Sequence, residues 1–104
     1  MIHSSSKKKK EICKENSIYV RNPKIAQRRV DDSVFLIDPD TDRVFYLDAL
    51  SFGIWNLLEK PIRMNDAVNI VQQAFPGTSS GKIARDVSTL MNRMHRRHLV
   101  LTGA

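Results

Sequence analysis

The stretch RVFYLDALSFGIWNLL, residues 43–58, changes its hydrophobic period once, at Asp48, and that change decides the fold. Val44, Phe45, Tyr46 and Leu47 are β-branched, aromatic or large apolar residues, the types that suit a pleated, half-buried surface. Alternation then puts Phe45 and Leu47 on one face of a strand and Val44 and Tyr46 on the other. Asp48 follows with a short acceptor side chain, able to satisfy the free N–H groups of a helix start whose positive end also favours a carboxylate. Beyond it Leu50, Ile54, Leu57 and Leu58 recur at helical spacing, and Phe52 and Trp55 widen the stripe. The stretch therefore reads as a strand passing without a spacer into an apolar helix, on which the remaining segments pack.

On the N-terminal side, Asp38-Pro39-Asp40-Thr41-Asp42 carries turn chemistry between this strand and an apolar run at Val34–Ile37, which makes a hairpin. Asp31-Asp32-Ser33 is a second turn, and Ala26–Val30 a strand before it. Ser17–Val20 reads as a short edge strand cut off by Asn22-Pro23, because proline lacks a ladder donor and biases its predecessor to extended geometry. On the C-terminal side, the first helix stops near Lys60-Pro61. Asn65 is placed to cap a second helix with a stripe at Ala67, Val68, Val71, Ala74 and Phe75, ended by Pro76-Gly77. Ser79 or Ser80 caps a third, whose buried face is Ile83, Val87, Leu90, Met91 and Met94 and which runs to about His98. Leu99–Leu101 is a last extended segment. The fold class is α+β: a small antiparallel sheet of two to three strands followed by three helices.

A chain of 104 residues suffices for one small domain with one modest core, here residues 18–104. Residues 1–17 hold Ser and Lys runs without periodicity and read as a disordered basic tail. The formal charge of +6 sits there: residues 1–29 carry nine Lys and Arg against two Glu, whereas residues 30–104 carry eight against nine Asp and Glu. The body is thus close to neutral, which argues against nucleic acid as its partner. No apolar run approaches the roughly 18 residues of a membrane span, and Lys7–Lys10 lead into EICKEN rather than a signal-peptide core. A single cysteine, Cys13, allows no internal disulfide and points to a cytoplasmic setting.

Catalysis needs a nucleophile with a base, a metal shell or a cofactor loop, and none is legible. The glycines form no phosphate loop, so no cofactor is expected. His95 and His98 lie at i and i+3 but have no further ligand in the body, so no metal is expected. The aspartates between Asp38 and Asp42 lack the glycine and glutamate of a calcium loop. The expectation is a non-catalytic binding protein. Two features carry it: Arg85, Arg93, Arg96 and Arg97 lie on the outward side of the third helix, and Arg43–Leu47 is bulky on both faces, so an open edge there would be a docking strip. Two other readings compete. A winged helix-turn-helix that binds DNA has the same elements, but Asp38, Asp40 and Asp42 would face phosphates. A structural module could instead form a homodimer through its edge strands.

Two segments, VFLIDPDTDRVFYLDALSFGIWNLLEKPIRMNDAVNIVQQAF at 34–75 and DVSTLMNRMHRRHLV at 86–100, resemble the PqqD family, also described as the RiPP recognition element. The resemblance spans Pro23–Leu101 and rests on the ordered set of hairpin, Leu47-Asp48, Ile54-Trp55, Leu57-Leu58, Phe75 and Asp86-Val87 before Leu90, Met91 and Met94. His98 stands where the family usually has a glycine. The resemblance implies a winged helix-turn-helix-like domain that binds the leader segment of a ribosomally made precursor peptide and presents it to a peptide-modifying enzyme, such as a radical SAM enzyme, a cyclase or a peptidase. In such domains the leader adds as a strand beside Arg43, Val44, Phe45, Tyr46 and Leu47 and rests against the third helix at Arg85, Asp86, Leu90, Arg93 and Arg97. Val44, Tyr46 and Leu90 are then the apolar anchors, and the three arginines meet acidic leader side chains.

Overall fold

In the computed structural model, which describes residues 17–103, the elements run β1 (Ile18–Arg21), β2 (Ala26–Val30), β3 (Ser33–Asp38), β4 (Arg43–Leu47), α1 (Ala49–Leu57), β5 (Ile62–Arg63), α2 (Met64–Ala74), α3 (Ser80–Arg96) and β6 (Val100–Gly103). The tail expected over residues 1–17 falls, apart from Ser17, outside the described residues.

The switch at Asp48 is built as its residues demand. Its Oδ1 accepts the Ser51 backbone N–H at 2.8 Å, capping α1 in the first turn after β4. Both hairpins form with β3 in the centre, in the order β2-β3-β4, and the register sets Leu36 opposite Gln27 and Phe45. The turns use aspartate as the sequence suggested: Asp31 and Asp42 take the left-handed region at φ 56 and 58, and Asp38 Oδ1 accepts the Asp40 N–H at 2.9 Å.

Two expectations are corrected. Ser17–Val20 was read as an edge strand, yet β1 is the middle strand of a second sheet, β5-β1-β6. The two-residue β5 and the returning β6 flank it through pairings tens of residues apart, which no local pattern encodes. Asn65 was read as a cap, yet α2 opens at Met64 with Arg63 at the cap position and no side-chain cap bond; Asp66 supplies the negative charge of the first turn. The third helix does start on Ser79, which accepts the Lys82 N–H.

The core lies between the two sheets and the three helices, around Leu36, Ile54, Trp55, Leu58, Val87, Met91 and Val100. All five residues expected on the inner face of α3 are buried. The end of α3 forms a Schellman motif: the Leu99 N–H reaches Met94 O at 2.9 Å, the His98 N–H reaches His95 O at 3.0 Å, and Leu99 and Met94 are both buried. His98 takes φ 59 there, a conformation in which a Cβ costs roughly 1–2 kcal/mol. Its side chain is exposed, and its anchoring bond, the Asn22 side-chain amide donating to His98 O at 2.8 Å, uses only backbone. His98→Gly should therefore stabilise the fold by about 1 kcal/mol, raising the thermal midpoint by roughly 4–8 °C in a circular-dichroism melt.

Candidate functional site: an open strand edge beside a cationic helix

Among the described residues β4 pairs only with β3, so its other edge presents unpaired backbone groups. That edge faces α3 across a groove made of two adjoining hollows. One, of about 90 Å³, lies against Phe45, Tyr46, Leu47, Met94, Arg97 and Leu99. The other, of about 260 Å³, lies against Leu50, Arg85, Asp86 and Thr89. Asp48, Ser51, Leu90 and Arg93 border both and make them one track. Along α3 the track runs from Arg85 to Arg97, about 18 Å at helical rise, the length of five or six extended residues.

Its electrostatics are lopsided. Arg85, Arg93 and Arg97 are exposed along one wall, and the Arg97 guanidinium stands 5.5 Å from the Phe45 ring centroid. Asp86 is engaged by Lys82 at 2.8 Å, one helical turn earlier. Asp48 is the remaining carboxylate, and the Ser51 backbone N–H, the Ser51 hydroxyl and then the Arg93 charge hold it below the usual carboxylate range. A depressed folded-state value means that its contribution to stability is present above the unfolded value and fades as pH falls through the folded one. Asp48→Ala should cost about 1 kcal/mol at neutral pH, with the gap to the parent closing below about pH 4 in urea titrations.

The groove gathers Phe45, Leu47, Arg85, Asp86, Leu90, Arg93 and Arg97 of the residues singled out in the sequence, with Tyr46 at its lip. It does not gather Arg43, opposite Asp38 at the far end of β4, or Val44. Val44 and Tyr46 are 59% and 62% exposed on the outer face of the sheet, where the Tyr46 and Phe35 rings lie 5.6 Å apart. Sequence reasoning missed Leu50, Ser51 and Thr89 as groove residues and saw Asp48 only as a cap. Leu50 lay inside a stripe read wholly as core, and only the folded chain shows it half-buried, lining a hollow opposite Arg85 and Thr89 of α3.

The family model of coenzyme PQQ synthesis protein D, PqqD, matches residues 33–100, most of the chain and every residue of the groove. This chain belongs to the PqqD family. The PqqD-family fold is seen again in a solved structure described as TbiB1 in complex with the TbiA(beta) leader peptide, similar at a TM-score of 0.71 and 24% identity over 82% of this chain and 98% of that one. A comparison with curated proteins finds no match. No helix among the described residues of this PqqD-family chain is long and apolar enough to cross a membrane, and they hold no group of three or more His, Cys, Asp or Glu able to share a metal ion.

Proposed function

We propose that this chain captures the leader segment of a ribosomally made precursor peptide by strand addition at the open edge of β4, and presents the rest of the peptide to a modifying enzyme without itself catalysing the modification. The observation that carries the reading is the unpaired β4 edge lying along a groove whose other wall bears Arg85, Arg93 and Arg97. Family membership supports it, and so does the leader peptide bound by TbiB1.

Energetics say what the side chains must add. Four or five backbone hydrogen bonds at roughly 0.5–1.5 kcal/mol net each fall short of the roughly 8 kcal/mol of a micromolar complex, before ordering costs are subtracted. An added strand points alternate residues to opposite faces, so half of them meet Phe45, Leu90 and the arginines, and the other half extend the outer face beside Val44 and Tyr46. Acidic side chains on the groove half complement the arginines.

The test titrates isotope-labelled full-length chain with synthetic peptides covering the N-terminal halves of short reading frames beside its gene, with the TbiA(beta) leader peptide for comparison. The reading expects at least one to saturate at a Kd near 1 µM, with amide shifts concentrated on β4 and α3. Shifts confined to other surfaces, or none with any peptide, reject it.

A further inference from the structure

A second cavity opens on the far side of Leu50, between α1 and the C-terminal half of α2, with a volume of about 390 Å³. Leu50, Gly53, Leu57, Ile70, Ala74 and Phe75 form its walls, and every residue lining it is apolar. Ile70 and Phe75 are 42% and 54% exposed at its rim, although helical spacing assigns Phe75 to the inward stripe of α2. That stripe ends over an unfilled hollow because Gly53 brings no side chain to it: a Cβ placed on Gly53 would meet no heavy atom within 4 Å.

We infer that this cavity is a second anchor site for the same leader peptide, taking one large apolar side chain, leucine or aromatic, from the residues that flank the strand added at β4. The inference rests on the strand-addition reading above. Three observations carry it. The cavity adjoins the groove, since Leu50 forms a wall of both it and the larger of the two groove hollows. It is lined by α1 from Ala49 onward, directly after the Leu47–Asp48 end of β4, so a peptide leaving the strand edge at that end comes out beside α1. Its volume falls within the range of ordinary ligand sites, about 300–1,000 Å³, and its lining offers no polar side chain, so what it selects is mainly apolar surface. Both hairpins are antiparallel, and an antiparallel guest at β4 starts beside Leu47. The anchor then lies N-terminal to the strand-forming segment.

Gly53 supplies the test. Gly53→Phe fills the cavity from a position with free space, and it replaces the least favourable ordinary residue of a helix interior, so α1 keeps its structure; Gly53→Ala removes the glycine without filling the hollow. A display library of random 20-residue peptides is selected on the full-length chain, and the winners are measured by fluorescence anisotropy on the parent and both variants, with thermal melts confirming that each is folded. Winners should carry a large apolar residue N-terminal to their strand segment, bind Gly53→Phe at least tenfold more weakly, and bind Gly53→Ala as they bind the parent. Changing that residue to alanine should cost the same tenfold on the parent and nothing further on Gly53→Phe. Equal affinity for all three proteins, or an alanine effect that persists on Gly53→Phe, overturns the inference, the former also being the result expected if the cavity serves a protein partner. The groove reading fails separately: winners that leave the β4 and α3 amides unshifted sink strand addition at β4, whereas winners that shift those amides but bind Gly53→Phe as they bind the parent sink only the second anchor.

Discussion

Reversing two charges with Arg93→Glu and Arg97→Glu should weaken leader binding about a hundredfold while leaving the chain folded. Arg93 borders both hollows of the groove, so no peptide of five or six residues along β4 can avoid it. Arg97 closes the other end, over the Phe45 ring. Each is exposed, so a single pairing with an acidic leader side chain contributes only about 0.2–1 kcal/mol. Reversal does more than delete that term, because it replaces attraction with repulsion of similar size; at position 97 it also removes the cation–π contact with Phe45, about 0.5–1 kcal/mol that is lost to the fold rather than to binding. Summed over two sites the loss is about 2–3 kcal/mol, close to two decades of affinity. Both arginines lie in the last turn of α3 or at its cap, where cations oppose the negative end of the helix, so the double variant also gives up about 1 kcal/mol of stability. Calorimetric titration at 50 and 500 mM salt separates the causes: screening should weaken the parent and narrow its gap to the variant. Affinity unchanged by the double reversal would leave the arginines as solubilising charge and strip the groove of its selectivity for acidic leaders.

Much of this architecture is written locally. The Asp48 switch, the aspartate turns and the inner stripe of α3 each rest on residues within one or two turns of one another, and each is found where pattern and propensity place it. The second sheet is not local. Pairing Ile18 with Gly103, and Tyr19 with Ile62, depends on where three helices deliver the chain. The site divides in the same way. Exposed arginines on α3 and a bulky β4 can be read from periodicity, but whether the β4 edge is left open depends on which strands reach it, and the sequence alone leaves that undecided. Leu50 and Gly53 show the limit most sharply: a stripe residue and a mid-helix glycine look like core and blemish, and only the placement of α1 against α2 makes them the lining of a cavity.

Trp55→Ala should be the most damaging single substitution in the chain. Trp55 is 2% exposed, and replacing a buried tryptophan with alanine costs about 3–5 kcal/mol through lost burial and the cavity left behind. Its polar handles raise the stakes. The indole N–H donates to Gln27 Oε1 at 2.9 Å, tying α1 to β2. The Arg21 guanidinium lies 4.4 Å from the ring centroid and donates two hydrogen bonds, at 2.8 and 3.1 Å, to Trp55 O, which also accepts the Leu58 N–H at 3.1 Å at the end of α1. Arg21 belongs to β1 and Gln27 to β2, so this one residue joins both sheets to the same helix, its indole N–H holding β2 and its ring face and backbone carbonyl holding β1. A domain of this size has about 5–15 kcal/mol of stability in total, so the variant should lose between a fifth and all of it and expose β4 to disorder. Trp55→Phe is the milder comparison: it keeps one ring under Arg21, loses the hydrogen bond to the exposed Gln27 and part of the buried ring volume, and should cost about 2 kcal/mol. Urea unfolding followed by far-ultraviolet circular dichroism distinguishes them, since Trp55 is the chain's single tryptophan and its fluorescence is lost in both. A midpoint for Trp55→Ala close to that of Trp55→Phe would mean that the two sheets are held together elsewhere. The geometry of the β4 groove would then not depend on this joint.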